Sequence, residues 1–263
     1  MINVKRPLPF VLISSNHGSL IVNRNDYRMI DESKNYGYGV GFQLFNNSCF
    51  DQEEVELVIS LIDKRHHHFG DGLVAIDCGA NIGVHTIEWA RFMYGWGSVY
   101  SFEAQEKIFY ALAGNIAINN CLNVTARHCA VGSECSTIKI PEPNYLVPSS
   151  YGSFELIKKD NNEFIGQHID YSNTKEIPLI SIDSLNLGRV DFIKIDVEGM
   201  EEEVLSGARE SIIRSKPILL VENIKSDQGK LNDFFIQHGY LTCQVGINTV
   251  ALHESDPTLQ DFQ

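Results

Sequence analysis

The chain has 263 residues, of which 43% are hydrophobic and 21% are charged, so it can form one large α/β domain, with or without a small appendage. Its formal net charge of −13 argues against a surface that neutralises phosphates, so nucleic acid is not expected as a partner. No apolar run approaches the roughly 18 residues that cross a bilayer. The six cysteines are scattered without a C-x-x-C pair, which is typical of reduced thiols. The composition therefore predicts a cytoplasmic protein without membrane insertion.

The chain is interpreted as an N-terminal cap segment, residues 1–50, and a main domain, residues 51–263. In the main domain, apolar segments rich in β-branched residues alternate with amphipathic segments. The predicted strands are residues 73–77, 98–102, 124–128, 191–195 and 218–221. One predicted helix begins near residue 51, and two more follow the first and second of these strands and end near residues 93 and 119. The last two predicted helices occupy about residues 200–213 and 228–238. This alternation indicates a parallel sheet with helices on both faces. Residues 240–245 and 249–253, separated by a short turn, indicate a terminal antiparallel hairpin.

The alternation lapses between about residues 141 and 176, in a stretch rich in proline, serine, asparagine and charged residues. Structureless segments of this length are usually functional lids or disordered. Tyr145, Tyr151 and Phe154 favour a lid that covers a substrate over a plain flexible insertion. The main domain is therefore predicted to carry a lid-like insertion.

A first functional motif is residues 74–86, VAIDCGANIGVHT, which predict a buried strand, a glycine-containing turn and a helix. In an open α/β sheet such a turn lies at the carboxyl ends of the strands, where ligands bind. Gly79 and Gly83 leave room for a close approach of the backbone to a ligand or of the helix to the sheet. A dinucleotide-binding turn would have a second glycine where Asn81 stands, and Asp77 would suit an ammonium group and repel a diphosphate.

A second motif is the next predicted strand, which ends in Glu103. An acid at that position can accept hydrogen bonds from both hydroxyls of a ribose. Together with the glycine turn, it favours a nucleoside-containing ligand.

A third motif is residues 190–201, VDFIKIDVEGME. Strand alternation puts Lys194, Asp196 and, if the extended geometry persists, Glu198 on one face. A lysine inside a core strand is costly unless it is paired. We therefore expect Lys194 to contact Asp196, Asp77 or another carboxylate.

These motifs resemble those of class I S-adenosylmethionine-dependent methyltransferases and, within them, the FkbM-type family. The resemblance extends from about residue 51 to residue 253, and it is strongest at residues 77–83, at residues 102–103 and in the string KIDVEGME at residues 194–201. It implies a Rossmann-like sheet of seven strands, mostly parallel with an antiparallel terminal hairpin, and helices on both faces. It also implies that S-adenosylmethionine lies across the carboxyl edge of that sheet.

The resemblance further implies roles for individual residues. The implied cofactor-binding residues are Asp77, Gly79, Ala80, Asn81, Gly83, Glu103, Ala130 and Asp196. The turn that begins at Asp77 would surround the methionine part of the cofactor, Glu103 would bind the ribose, and residues 129–131 would border the adenine. Asp196 would lie near the sulfonium and the incoming acceptor.

Methyl transfer from a sulfonium is an in-line displacement, so the protein must align the acceptor, the methyl group and the leaving sulfur and must exclude water. A hydroxyl acceptor must also lose a proton, either to a carboxylate or histidine or with help from a divalent cation that lowers its pKa. The catalytic candidates are Asp196 and Glu198. Glu222 and Asn223 are possible metal ligands or acceptor contacts, and His85 is a further candidate base. Whether a metal is required is left open.

The family resemblance implies O-methylation of a hydroxyl on a sugar or natural product, so the expected partner is a small-molecule or glycan acceptor. Amide N-methylation is an alternative within the same family. An NAD-dependent oxidoreductase would share the sheet and Glu103, but Asn81 and Asp77 count against it. A non-catalytic nucleoside-binding module is the remaining alternative, and the joint presence of Asp196, Glu198 and Glu201 counts against that. The acceptor and the oligomeric state are not predicted.

Overall fold

The structure is a computed structural model that describes residues 6–31, 33 and 36–262. The chain divides into two compact units. Unit 1 comprises Met1–Asp51 and Ile140–Lys175, and unit 2 comprises Gln52–Lys139 and Glu176–Gln263. The predicted cap segment and nearly all of the predicted insertion thus belong to one unit. Their roles as a cap and a lid stay predictions.

Unit 1 begins with two antiparallel strand pairs and a helix. The elements are β1 (Phe10–Ser15), β2 (Gly18–Asn23), β3 (Arg28–Asp31), β4 (Tyr36–Tyr38) and α1 (Val40–Asn47), with β1 paired to β2 and β3 paired to β4. The amide of Asn23 donates to the carbonyl oxygen of Tyr145 (3.0 Å), which joins the two segments of the unit. Tyr145, Tyr151 and Phe154 are all buried. The aromatic side chains that favoured a lid therefore belong to the interior of unit 1.

Asp26 is a buried carboxyl group of unit 1 whose ionisation should affect stability. Burial raises its pKa to about 7, although hydrogen bonds from the backbone of Tyr151 and Gly41 favour the charged form. The carboxyl group has a pKa near 3.8 in the unfolded chain. At pH values between 3.8 and about 7, the folded protein therefore binds a proton that the unfolded chain has released. We therefore expect this group to lower the free energy of unfolding by up to about 1.4 kcal/mol per pH unit as the pH rises from about 5 to 7.

Urea unfolding across this pH range measures the expected slope, with Asp26→Asn as the comparison. The variant cannot ionise at this position, so its stability should fall less steeply with pH. Parallel slopes for the two proteins would contradict the assignment to Asp26.

Unit 2 is built on a seven-stranded sheet. The remaining strands of the chain are β5 (Leu73–Cys78), β6 (Gly97–Glu103), β7 (Val124–His128), β8 (Ala130–Val131), β9 (Ser136–Pro141), β10 (Thr174–Ile180), β11 (Phe192–Ile195), β12 (Ile218–Glu222), β13 (Tyr240–Val245) and β14 (Asn248–His253). The large sheet has the order β13-β14-β12-β11-β5-β6-β7, and a small separate sheet has the order β8-β10-β9. In the large sheet, β12, β11, β5, β6 and β7 are parallel, and β14 is antiparallel to β12 and β13. The predicted seven-stranded sheet with a reversed terminal hairpin is confirmed.

Helices cover both faces of this sheet. They are α2 (Gln52–Phe69), α3 (Val84–Phe92), α4 (Glu106–Ile118), α5 (Glu201–Gly207), α6 (Arg209–Ser215) and α7 (Gln228–Gln237). Ile193 and Ile195 of β11 share a core cluster with Phe235 of α7. On the opposite face, the ring of Phe192 meets Trp89 of α3 edge to face, with centroids 5.3 Å apart. None of the helices in the described part of the chain combines the length and the apolar character needed to cross a membrane.

The helix predicted over residues 200–213 is wrong in one respect, because the chain forms two helices that meet at Ala208. A Cβ on Gly207 would lie 2.1 Å from the carbonyl oxygen of Gly132, so α5 ends in close backbone contact. The carboxylate of Asp183 then accepts the backbone N–H groups of residues 210 and 211, at 2.9 and 2.8 Å. That carboxylate satisfies donors at the start of α6 and allows a new helix to begin there.

Arg65 ties α2 to three other segments of unit 2. Its guanidinium is buried, pairs with the carboxylates of Asp191 (3.4 Å) and Asp256, and donates to the carbonyl oxygen of Ser215 (3.0 Å). Asp191 also accepts the backbone N–H of Val74 at 3.0 Å, next to the start of β11. One charged side chain thus fixes α2 at the amino-terminal edge of the parallel strands.

Candidate functional site

The carboxyl ends of β5, β6 and β11 bring the three sequence motifs to one edge of the sheet. Lys194 of β11 is the register partner of Asp77 in β5. The backbone N–H of Asp196 donates to the carbonyl oxygen of Cys78 (3.1 Å), and β6, the other neighbour of β5, ends at Glu103. This is the edge at which parallel α/β sheets bind ligands.

The turn after β5 depends on backbone conformations and spaces that favour glycine. Gly79, Asn81 and Gly83 have φ angles of 80°, 51° and 91°. A Cβ on Gly79 would lie 1.8 Å from the carbonyl oxygen of Asp196, and one on Gly83 would lie 2.5 Å from a methyl group of Leu112 in α4. Gly79 therefore lets the turn approach the backbone after β11, and Gly83 lets α3 approach α4.

We expect Gly79→Ala to cost at least about 2 kcal/mol more unfolding free energy than Gly95→Ala. Both glycines have a positive φ, of 80° and 87°, but apart from the chain neighbours of Gly95 no described residue has an atom within 4 Å of its Cβ position. The control therefore carries only the strain of the left-handed conformation, about 1–2 kcal/mol. Urea unfolding of both variants measures the difference, and equal losses would show that the close approach to Asp196 is unimportant.

Glu103 is fixed by two backbone donors. Its Oε2 accepts the N–H of Asn81 (2.9 Å), and its Oε1 accepts the N–H of Gln105 (2.7 Å). Burial raises the pKa of Glu103 to about 7, and the nearby negative charges of Asp196 and Asp77 act in the same direction. Each carboxylate oxygen can accept a further hydrogen bond, so the carboxylate is held in place with capacity for a ligand's hydroxyl groups.

Asp77 has one satisfied and one unsatisfied oxygen. Its Oδ2 accepts the hydroxyl of Thr86 (2.6 Å), whereas its buried Oδ1 has no hydrogen-bond partner among the described residues. A buried acceptor without a donor is costly. The unsatisfied Oδ1 of Asp77 fits a cofactor that presents an ammonium group at this turn.

Ala130 is brought to the same edge through its neighbour. The backbone N–H of Cys129 donates to the carbonyl oxygen of Glu103 at 3.2 Å, and Ala130 follows, buried, in β8. Its methyl group offers an apolar contact beside the end of β6. It has no polar side chain with which to recognise a base.

A cluster of three carboxylates lies at the ends of β11 and β12, and we call Asp196, Glu198 and Glu222 the carboxylate cluster. One oxygen from each lies within 4.8 Å of the others. Lys194 Nζ donates to Asp196 Oδ2 at 2.6 Å, which confirms the predicted pairing of this lysine. Lys225 Nζ lies 2.5 Å from Glu198 Oε2. The sequence patterns contained no signal for Lys225, which follows β12 in an irregular segment.

Glu198 reaches the cluster by a different route from the one predicted. Its φ angle of 56° ends the extended geometry, so alternation along β11 does not determine its direction. Glu201 holds this turn: its Oε1 accepts the backbone N–H groups of Val197 (3.2 Å) and Gly199 (3.0 Å), and its Oε2 accepts the hydroxyl of Ser226. Glu201 thereby links the segments that follow β11 and β12.

The cluster concentrates negative charge in a largely buried place. Burial, and after it the negative charge of Asp196, raise the pKa of Glu222 to about 9 and that of Glu198 to about 8. Against the effect of burial, the carboxylates of Asp196, Asp77 and Glu54 raise the pKa of Lys194. The site therefore favours a bound positive charge.

Two further sequence candidates have other contacts. Asn223 donates from its amide to Gln244 (2.9 Å) and Thr249 (2.8 Å) of the terminal hairpin. His85 is buried, and its Nε2 lies 3.1 Å from an oxygen of the partly buried Glu54. The hydrogen bonds of Asn223 hold the hairpin beside β12, and the contact between His85 and Glu54 joins α3 to α2.

Unit 1 contains a cavity of about 870 Å³. Its lining is aromatic and basic and includes Arg24, Tyr27, Arg28, Phe42 and Phe164. The guanidinium of Arg28 lies 5.4 Å from the ring centre of Phe164 and pairs with Glu163 at 3.5 Å. Flat rings and guanidinium groups of this kind suit a small molecule that carries hydroxyl groups or rings.

Comparison with known proteins gives a family match and several relatives. Residues 77–242, more than half of the chain, match the model of the methyltransferase FkbM domain. The chain is 27% identical over 156 residues to methyltransferase sdnD of Sordaria araneosa and 26% identical over 149 residues to methyltransferase 1 of Beauveria bassiana. These matches cover 51% and 53% of the chain and 60% and 59% of the relatives, so the chain spans about three fifths of their length.

Among solved structures, the chain resembles a methyltransferase FkbM from Methylobacillus flagellatus KT. The TM-score is 0.50 at 18% identity, and the match covers 72% of the chain and 48% of that protein. At this identity the likeness shows a shared fold.

Proposed function

Because the chain belongs to the methyltransferase FkbM domain family, we propose that it transfers a methyl group from S-adenosylmethionine to a hydroxyl of a sugar or natural product. The observation that carries this proposal is the connection between the glycine turn and Glu103. The backbone N–H of Asn81 donates to Glu103, so the turn and the ribose-binding acid form one preorganised surface.

The cofactor's parts correspond to different groups on this surface. Glu103 would accept the ribose hydroxyls, since both of its oxygens are already oriented by backbone donors. The unsatisfied Oδ1 of Asp77 would accept from the ammonium group of the methionine part. Asn81, Gly83 and the backbone of Gly79 and Ala80 would complete the turn around that part, and Ala130 would contact the adenine.

Asp196 and Glu198 are the residues that we propose on the acceptor side. Lys194 orients the carboxylate of Asp196 through a 2.6 Å hydrogen bond. In an in-line displacement the acceptor oxygen must be aligned with the methyl group, and a hydrogen bond from a hydroxyl to Asp196 would supply that alignment. A carboxylate of the cluster would receive the hydroxyl proton.

Calorimetric titration with S-adenosylmethionine, S-adenosylhomocysteine and NAD tests the cofactor. We expect binding of the two adenosyl compounds and none of NAD. Binding of NAD alone would overturn the proposal in favour of an oxidoreductase, and binding of none of the three would favour a module without catalysis.

Glu103→Ala is expected to weaken binding of S-adenosylhomocysteine by about 1–3 kcal/mol, because the ribose hydroxyls of the ligand would lose the carboxylate that accepts their hydrogen bonds. Exposed Glu134 provides a matched control: Glu134→Ala removes a carboxylate elsewhere in unit 2 and should leave the affinity unchanged. Calorimetry on both variants measures the effect. An unchanged affinity in Glu103→Ala would remove Glu103 from the cofactor site.

The cavity of unit 1 supports the further proposal of a small-molecule or glycan acceptor, since its aromatic and basic lining suits hydroxylated rings.

The net charge of −13 supports the expectation that nucleic acid is not the acceptor. The six free cysteines support a reducing, cytoplasmic location. Incubating the protein with labelled S-adenosylmethionine and panels of sugars, hydroxylated natural products and amides would identify the class from the labelled product.

A further inference from the structure

The carboxylate cluster has the composition and spacing of a cation site. Asp196, Glu198 and Glu222 each offer one oxygen, and the three oxygens lie within 4.8 Å of one another. Oxygens bound to one ion at about 2.1 Å are at most about 4.2 Å apart, and those bound at about 2.4 Å are at most about 4.8 Å apart. Three oxygens that lie within 4.8 Å of one another are therefore close enough to converge on one divalent ion of this size range.

Glu222 is the observation that goes beyond a group of neighbouring acids. It is 7% exposed, and its Oε2 has no hydrogen-bond partner among the described residues. The other two members of the cluster have ammonium partners, Lys194 and Lys225. A buried carboxylate beside two further carboxylates, with one oxygen that lacks a donor, is strongly unfavourable in its charged form unless a positive charge balances it.

The backbone around the cluster is fixed in a way that suits ligation. Glu198 adopts a left-handed φ of 56°, and Glu201 and Ser226 hold the turn in which it lies. The hydrogen bonds of Glu201 join the segments that carry Glu198 and Glu222. The three oxygens are thus presented from a rigid frame, as a binding site for an ion requires.

We propose that Asp196, Glu198 and Glu222 bind a divalent cation that prefers hard oxygen ligands, such as Mg²⁺, Mn²⁺ or Ca²⁺. All three ligands are carboxylates, and the described part of the chain adds no sulfur or imidazole to this cluster, so softer metals are disfavoured. Three protein ligands leave coordination positions for water or for an acceptor oxygen. A cation there would lower the pKa of a bound hydroxyl. This role in catalysis rests on the proposed methyl transfer, whereas the binding of the ion does not.

The test is direct binding of Mn²⁺ to the chelator-treated full chain, followed by electron paramagnetic resonance of free Mn²⁺. We expect one bound ion per chain, and we expect Glu222→Gln to weaken its binding by at least about 10-fold. Glu203→Gln is the matched control, because it removes an exposed carboxylate from the same part of unit 2. Competition by Mg²⁺ and Ca²⁺ for the bound Mn²⁺ identifies the preferred ion.

The titration is repeated with saturating S-adenosylhomocysteine. Retention of Mn²⁺ supports a separate cation site, and stoichiometric displacement would overturn the proposal, since the cluster would then hold the cofactor's own ammonium group. Absence of bound Mn²⁺ in the unmodified protein, or equal affinities for Glu222→Gln and Glu203→Gln, would also overturn it. Binding of Mn²⁺ without binding of S-adenosylhomocysteine would leave the cation site standing and would remove the proposed function.

Discussion

An Asp196→Asn variant is expected to form methylated product at least about 100-fold more slowly than the unmodified protein, while its affinity for S-adenosylhomocysteine changes by less than about 3-fold. The substitution keeps the shape of the side chain but removes the charge that we propose aligns the acceptor, and it removes one carboxylate of the carboxylate cluster. The backbone N–H of residue 196, which donates to Cys78, is retained. The measurement is release of labelled product from an acceptor found in the panels.

Exposed Asp233 on α7 provides the matched control for this prediction, as Asp233→Asn removes one carboxylate of the same type outside the site. The control should match the unmodified protein in both rate and affinity. Normal turnover by Asp196→Asn would exclude a role on the acceptor side. A parallel loss of cofactor binding would instead make Asp196 chiefly a cofactor contact.

Replacement of Arg65 by leucine is expected to lower the free energy of unfolding by about 3–5 kcal/mol. Arg65→Leu would leave the buried carboxylates of Asp191 and Asp256 without their shared guanidinium. Arg189 still pairs with Asp191 at 2.8 Å, and Thr258 still donates to Asp256 at 2.9 Å. These contacts compensate only part of the loss, so a large destabilisation remains.

Urea unfolding of Arg65→Leu is compared with that of Arg91→Leu. Arg91 is half-exposed on α3 and pairs with Glu88 of the same helix at 3.5 Å. Such surface pairs contribute at most about 1 kcal/mol, so the control should be nearly neutral. Comparable losses for the two variants would show that the network at Arg65 contributes no more than a surface pair.

The sheet was predictable because its strands are marked by local composition. The predicted strands at residues 124–128 and 240–245 coincide with β7 and β13, and the other predicted strands of this sheet differ from the structure by one residue at one or both ends. Parallel strands that are buried on both faces appear in the sequence as short apolar runs. A helix between two such runs indicates a crossover connection, so the two strands run parallel. The turn at Gly79 and the acid at Glu103 follow from the same pattern, because each lies where a predicted strand ends.

Other features depend on contacts between distant segments. The interruption at Ala208 requires the backbone of Gly132 and the carboxylate of Asp183, and neither is visible within the helical pattern itself. The position of Glu198 depends on a left-handed residue, and local alternation assumed an extended one. Tyr145 is likewise held next to the first segment by the hydrogen bond from Asn23 to its backbone carbonyl, a contact that the aromatic content from which a lid was predicted did not indicate.

Unit 1 is discontinuous, and this has a consequence for the order in which the chain can fold. Asn23 and Tyr145, which hydrogen-bond to each other, are 122 residues apart in the sequence. Chain growth proceeds at roughly 5–20 residues per second, so the first segment must wait several seconds for its partner during synthesis. β5, β6 and β7 are complete before that partner emerges. We therefore expect the apolar strands β1 and β2 to be vulnerable to chaperone capture or proteolysis in nascent chains that end before residue 140.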